Sequence, residues 1–460
     1  MADQGSFIWY ELSTTDPKGA MAAVEEASRI YQAVGDRYGL ASTLEVTGQV
    51  LSDRGDYPGA LDRFNQELTI AREVGNRRAE SSALNNMALV LNQQGNADGA
   101  EKMWQESLPI FREVADHDGF ATAQINIAGV LKDKGDLAGA KALYEQTLSS
   151  FREINDQSGI ASSLTGLGTV LDAQGDSAGA KKLFDQAVAG DLARGNANPT
   201  NDKLIDIGDA LQHLGDLAGA RKNYQDALAL SRSAGDKSMA AYALVRLGSI
   251  DVKAADFAQA HKDYSEALAL RTELGEKDNV SAANVSLAAL AIEENKATDA
   301  EVQARKALEE FALAHKSDDE VTSATVLVRA LLAEGTTAVA AKELSKVAPV
   351  AGRNQNLAVQ LEIALARARV EAASRKLGPA EETLKQALAK ATKWGYLGDQ
   401  LEARLALAEV ELKAGKSAAS HARLEQLQTD ARDKGFELIA RKAAALEKQA
   451  VSAKVQTIAP

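Results

Sequence analysis

An all-α solenoid of stacked two-helix units is the fold class that three observations predict. The hexapeptides GDYPGA, GNADGA, GDLAGA, GDSAGA and GDLAGA begin at Gly55, Gly95, Gly135, Gly175 and Gly215, an unvarying step of 40 residues. Between them, large and small apolar residues return at helical spacing and at fixed places in each period. The composition is rich in Ala, Leu, Glu and Lys, with only seven prolines in 460 residues, which favours long helices. A chain this long exceeds the roughly 250 to 300 residues at which single cores stop growing, and a repeat array escapes that limit because each unit packs on its neighbours.

The hexapeptide is a tight junction between the two helices of a unit. Its first Gly can take the left-handed conformation that closes one helix, and the Asp or Asn that follows caps the next. A second junction falls twenty residues later, at Val34-Gly35-Asp36, Val74-Gly75-Asn76, Ile154-Asn155-Asp156 and Ala234-Gly235-Asp236, and separates one unit from the next.

In chain order, residues 1–34 form an incomplete first repeat. Its aromatic start, Phe7 to Leu12, is the tail of a helix that expects something N-terminal to pack on, so the chain reads as a piece of a longer polypeptide. Residues 35–274 form the regular 40-residue array. In each first helix Leu44, Leu84, Leu164, Leu204 and Leu244 share one position, and the small residues Gly48, Ala88, Ala128, Gly168, Gly208 and Gly248 share another. In each second helix a small Ala is followed four residues on by Phe64, Trp104, Tyr144, Phe184, Tyr224 or Tyr264. Small against large at matching heights predicts an interlocking core. Pro109 predicts a kink in a second helix, and Gly190 with Arg194 to Pro199 predicts a loosened junction. Residues 275–434 are a degenerate continuation in which Ala304, Leu344, Leu384 and Leu424 replace the ring, 435–450 a C-terminal capping helix and 451–460 a flexible tail.

A net charge of -13 argues against a protein that reads a nucleic-acid backbone. With no cysteine there is no disulfide framework and no thiolate site, and no run is apolar for long enough to span a bilayer. His117, His213, His261, His315 and His421 stand alone, without a second histidine at ligand spacing. Gly135 to Lys141 lacks the spacing and the preceding strand of a phosphate loop, and Asp56, Asp136, Asp176 and Asp216 are accounted for as caps. Arg72, Arg112 and Arg152, each followed by Glu, sit near helix ends where they complement the dipole. No cofactor and no metal is expected, and the chain is read as non-enzymatic.

The repeat pattern itself resembles the tetratricopeptide repeat: Leu, a large apolar residue, Gly or Ala, then Leu in the first helix, and Ala with an aromatic four residues on in the second. Its period is similar to the 40-residue variety of kinesin light chain and cell-polarity adaptors. A finer resemblance, carried by the GDLAGA turns, Leu401 to Glu409 and Lys434 to Lys442, is to the C-terminal repeat regions of bacterial, particularly acidobacterial, multidomain signalling proteins such as serine/threonine kinases. The resemblance implies a right-handed superhelical solenoid whose first helices line a concave face. It also implies a cytoplasmic location, or an outer one for the arm of a membrane-anchored kinase. No kinase motif or winged helix occurs in this chain, so no enzymatic activity carries over.

The face of each first helix opposite its apolar stripe carries the candidate site: Asn85, Asn86, Gln93, Asn126, Asp133, Asp206, Asp209, Arg246 and Lys253, with His213 alongside. Asn86 and Asn126 match the family position whose amide grips a ligand backbone, whereas Gly166, Asp206 and Arg246 depart from it. The expected function is a protein-interaction scaffold that binds a protein or peptide segment in the concave groove, as the arm of a larger signalling protein. The alternative is a ligand-sensing array that controls an attached kinase or DNA-binding domain. Neither nucleic acid nor membrane insertion enters either reading.

Overall fold

The computed structural model describes residues 17–193, 200–314 and 316–458. Twenty-two helices and no strand occur among the described residues, most of them 17 or 18 residues long, so the fold is the expected all-α array of two-helix units. The aromatic start, the junction residues Arg194 to Pro199 and His315 lie outside the described residues. The last helix is Glu437–Ile458 and continues past residue 450. The helix Ala97–Glu113 runs uninterrupted through Pro109.

The geometry explains the four recurrent letters of the hexapeptide, its first, second, fifth and sixth. Gly55, Gly135 and Gly215 have φ of 77°, 84° and 81°, the left-handed conformation in which a Cβ is strained. Asp56, Asp136 and Asp216 each cap the following helix, accepting from the N–H of Gly59 at 3.1 Å, Gly139 at 2.9 Å and Gly219 at 2.9 Å. A Cβ on Gly59 or Gly139 would lie 2.5 Å from that capping carboxylate, so the fifth position must be bare. The final Ala is fully buried at Ala60, Ala140 and Ala220.

Interlocking of small against large is equally direct. A Cβ on Gly48 would lie 2.6 Å from Phe64, and one on Gly168 or Gly208 2.4 Å from Phe184 or Tyr224. Beyond residue 275 the capping lapses: Lys296, Lys316, Thr336, Lys376 and Lys416 make no side-chain cap bond. The helices persist there because their apolar faces stay buried, Ala304, Leu344, Leu384 and Leu424 among them.

Two units divide the chain. One comprises the residues up to Val130 with Ala142–Gly159, the other Leu131–Lys141 with the residues from Ile160 onward. The first holds a core of Phe64, Leu68, Leu84 and Met87. The second closes on itself. Tyr396 donates its hydroxyl to the main-chain oxygen of Asp172 at 2.6 Å, across 224 residues, and its ring stacks on His213 with centroids 4.5 Å apart. Gln355 Oε1 accepts from the N–H of Ala138 at 3.1 Å, and Leu397 lies against Gly215. The turns near 135, 175 and 215 thus receive residues about four and a half to five and a half repeats further on. Leu217 and Tyr224 share one core with Leu401, Leu405 and Phe436.

Candidate functional site

Closure of the second unit forms a partly open cavity of about 710 Å³. Its walls are inner faces of first helices: α1 (Asn201–His213), α2 (Lys237–Lys253), α3 (Lys277–Glu293), α4 (Ser317–Ala333) and α5 (Leu357–Ala373). The interior is mixed: Val245, Ala282, Val285 and Val359 line it beside carboxylates, hydroxyls and four basic side chains.

On the α1 and α2 side, Asp209 accepts from the Tyr224 hydroxyl at 2.6 Å and pairs with Arg246 at 2.8 Å. Arg246 also donates to the Tyr242 hydroxyl at 2.8 Å. Asp206, one helical turn before Asp209, has no hydrogen-bond or ion-pair partner among the described residues, and burial, reinforced by the Asp209 charge, pushes its carboxyl up to about 8. At its edge the cavity reaches Asp172, which takes a hydrogen bond from Ser177 and faces His213 Nδ1 at 3.0 Å. Burial alone would lower the His213 pKa; the Asp172 carboxylate outweighs it and raises it.

Across the cavity, Asp278 pairs with Lys316 at 2.9 Å, and Asp318 accepts from Asn356 at 2.6 Å. Glu362 accepts from the hydroxyls of Thr322 and Thr325, each at 2.9 Å, yet burial still raises its carboxyl. Asp319 is pushed up to about 6 by burial, opposed by Lys316 and helped by Asp318. Ser323 lines the same wall with no exposed surface, and its hydroxyl has no partner.

Of the sequence-predicted residues in this unit, Asp133, Asp206, Asp209 and Arg246 line the cavity together. Lys253 does not; it lies among Asp399 and Glu402, and burial lowers its pKa. The other four belong to the first unit. Asn85 accepts from the Trp104 indole N–H at 3.0 Å, and exposed Gln93 accepts from Ser52 at 3.4 Å. Asn86 and Asn126 are half-buried. Among the described residues no group of three or more His, Asp or Glu is placed to hold a metal ion, and no helix is long and apolar enough to cross a membrane.

Sequence reasoning missed the second wall. A signal was present: stepping by 40 from Ser82, which shares the face of Asn85 and Asn86, reaches Tyr242, Ala282, Thr322 and Glu362, all of which line the cavity.

Residues 204–458, more than half of the chain, match the family model described as the MalT-like TPR region, and residues 80–153 and 119–193 match a tetratricopeptide repeat model. No curated protein matches. Among solved structures, a Rap protein complexed with competence and sporulation factor is 15% identical, covers 77% of this chain and 99% of its own, and gives a TM-score of 0.56. NprR in complex with its cognate peptide NprX is 17% identical over 50% of this chain and 68% of its own, with a TM-score of 0.41. A signal-transduction ATPase with a tetratricopeptide-repeat sensor from Pyrococcus horikoshii is 15% identical over 74% of this chain and 50% of its own, with a TM-score of 0.45. At 15% identity the likeness to the Rap protein shows the fold alone.

Proposed function

The chain belongs to the family of MalT-like tetratricopeptide-repeat regions, and from that premise we propose that it is a non-catalytic interaction scaffold that takes a peptide segment into the cavity of its second unit, as the arm of a larger signalling protein. The observation that carries the reading is the cavity: about 710 Å³ of space, within the range of ligand sites, whose walls mix apolar side chains such as Val245, Val285 and Phe311 with charged and hydroxyl groups. The fold of the Rap protein, itself complexed with competence and sporulation factor, supports a ligand-holding role. Asn86 and Asn126 of the first unit are proposed as a separate contact, their amides suited to a ligand backbone.

The test is selection of a random heptapeptide display library on the full chain and on Ala282→Trp, which fills the cavity from its wall. Peptides retained by the parent and lost from the variant, at unchanged melting temperature, support the reading. Identical selections on the two proteins overturn it.

A further inference from the structure

We propose that the guest of this cavity is cationic: a peptide segment that presents lysine or arginine side chains to Asp206 and Asp319. The proposal rests on the cavity being a peptide site and adds the chemistry of the peptide.

Charge balance is the first argument. Eight carboxylates line the cavity against four lysine and arginine side chains. The basic groups are already engaged: Arg246 with Asp209, Lys316 with Asp278, Lys132 with Asp133 at 3.5 Å, and Arg271 with Glu276 at 2.7 Å. Asp318 and Glu362 are satisfied by amide and hydroxyl donors, which leave their charges uncompensated. Asp206 and Asp319 have neither hydrogen bond nor ion pair among the described residues. Carboxylates in a confined space without a counter-charge are costly, and a cation that enters relieves that cost.

A second observation is independent of the acids. Ser323 is among the residues of the cavity wall, and its hydroxyl is fully buried and without a partner, although such groups in native proteins are normally hydrogen-bonded. It can accept from a guest's N–H. The geometry also favours an organic cation over a metal, because no three carboxylate or imidazole groups converge among the described residues. A guanidinium bridges separate carboxylates through its planar fork, and an ammonium reaches them through three rotatable donors.

The surroundings give the proposal a pH signature. Asp206 is faced by Asp202 and Asp209 on its own helix and by Lys132 and Asp172 from others; Asp319 is faced by Lys316, Asp318, Asp133 and Asp278. With these neighbours Asp206 loses its proton near about 8 and Asp319 near about 6, so a basic guest gains affinity as pH rises over that range.

The experiment extends the heptapeptide selection on the full chain, run at about pH 8 and about 0.15 M salt, where exposed charges are largely screened. Arginine and lysine are expected to be enriched among peptides held by the parent. Affinity for an enriched peptide is expected to fall at least about tenfold in Asp206→Asn with Asp319→Asn, and to hold in the exposed pair Asp118→Asn with Asp433→Asn. Asparagine keeps the shape of a protonated carboxyl, and equal melting temperatures check that the variant is folded. Peptides that lack basic residues, bound by the parent and lost from Ala282→Trp, overturn the cationic guest and leave the cavity site standing. Basic peptides held equally by the Asp206/Asp319 variant also overturn it. Selections that do not distinguish the parent from Ala282→Trp overturn both readings.

Discussion

The hydroxyl of Tyr396 donates at 2.6 Å to the main-chain oxygen of Asp172, a residue 224 positions earlier. Tyr396 occupies the register that holds Asp36, Asp156 and Asp236, where a helix cap is expected, and it is fully buried. Tyr396→Phe removes the donor but keeps the ring, and is expected to cost about 1 to 3 kcal/mol. Tyr396→Ala also opens a cavity and is expected to cost about 3 to 5 kcal/mol. Urea unfolding checks both; equal losses for the two variants would contradict the packing role of the ring.

His213 makes the same closure depend on pH. Its folded pKa lies above the ordinary 6.5, because Asp172 outweighs the effect of burial, so its contribution is fully present below about 6.5 and is lost as pH rises through the folded value. His213→Gln is expected to remove that slope and to cost roughly 1.5 to 3 kcal/mol at low pH, the scale of a hydrogen bond to a charged group. Melting temperatures between about pH 5 and pH 9, either side of the ordinary histidine range, give the comparison.

Glu67 in the first unit gives stability the same direction of pH dependence for a different reason. It has no exposed surface, neither carboxylate oxygen has a partner, and burial, helped by Glu45, pushes its pKa up to about 9 from an ordinary 4.5. The folded state therefore holds a proton that the unfolded chain releases, and stability is lost as pH rises from about 4.5 through about 9. Glu67→Gln is expected to stabilise the protein at the alkaline end by roughly 1 to 3 kcal/mol. A variant no more stable than the parent there would place the proton elsewhere.

At turns without glycine, the left-handed conformation is held by other residues, Ala115 at φ 54° and Asn155 at φ 55° among them. Asparagine tolerates this region and alanine does not. Ala115→Gly is therefore expected to stabilise by up to about 1 kcal/mol, and Asn155→Gly by less. Thermal melts of the two variants side by side decide it.

Asn86→Ala with Asn126→Ala is expected to weaken binding of selected peptides that Ala282→Trp still retains, without lowering the melting temperature. Tyr144→Ala is expected to cost about 3 to 5 kcal/mol instead, since its ring is core. If the asparagine pair destabilised as much, these residues would be structural.

How much of this was legible in the sequence follows the range of the interactions. The helices and the turns are local, so the spacing of Gly55, Asp56 and Gly59 was enough to place them. Asp206, Asp209 and Arg246 were found because a helical face can be counted from a single segment. Asp319 and Glu362 are not legible in the same way, because the wall they form is brought opposite Asp206 only by closure. Two marks of that closure stand in the sequence. Tyr396 and Phe436 stand where caps belong, and Leu137 and Leu217 put large apolar residues, buried, at the heads of their helices.

The seam between Tyr396 and Asp172 also changes how the second unit comes apart. A linear stack of repeats loses its end members one at a time, each departure breaking a single nearest-neighbour interface. Here the terminal repeats are fastened to earlier ones, and Leu217, Tyr224, Leu405 and Phe436 belong to one shared core. No repeat in that loop can leave alone without tearing the seam, so partial fraying is replaced by an all-or-none transition. The slowest-exchanging amides are expected to be spread across the whole loop at one common free energy, with no gradient running from its ends toward its middle.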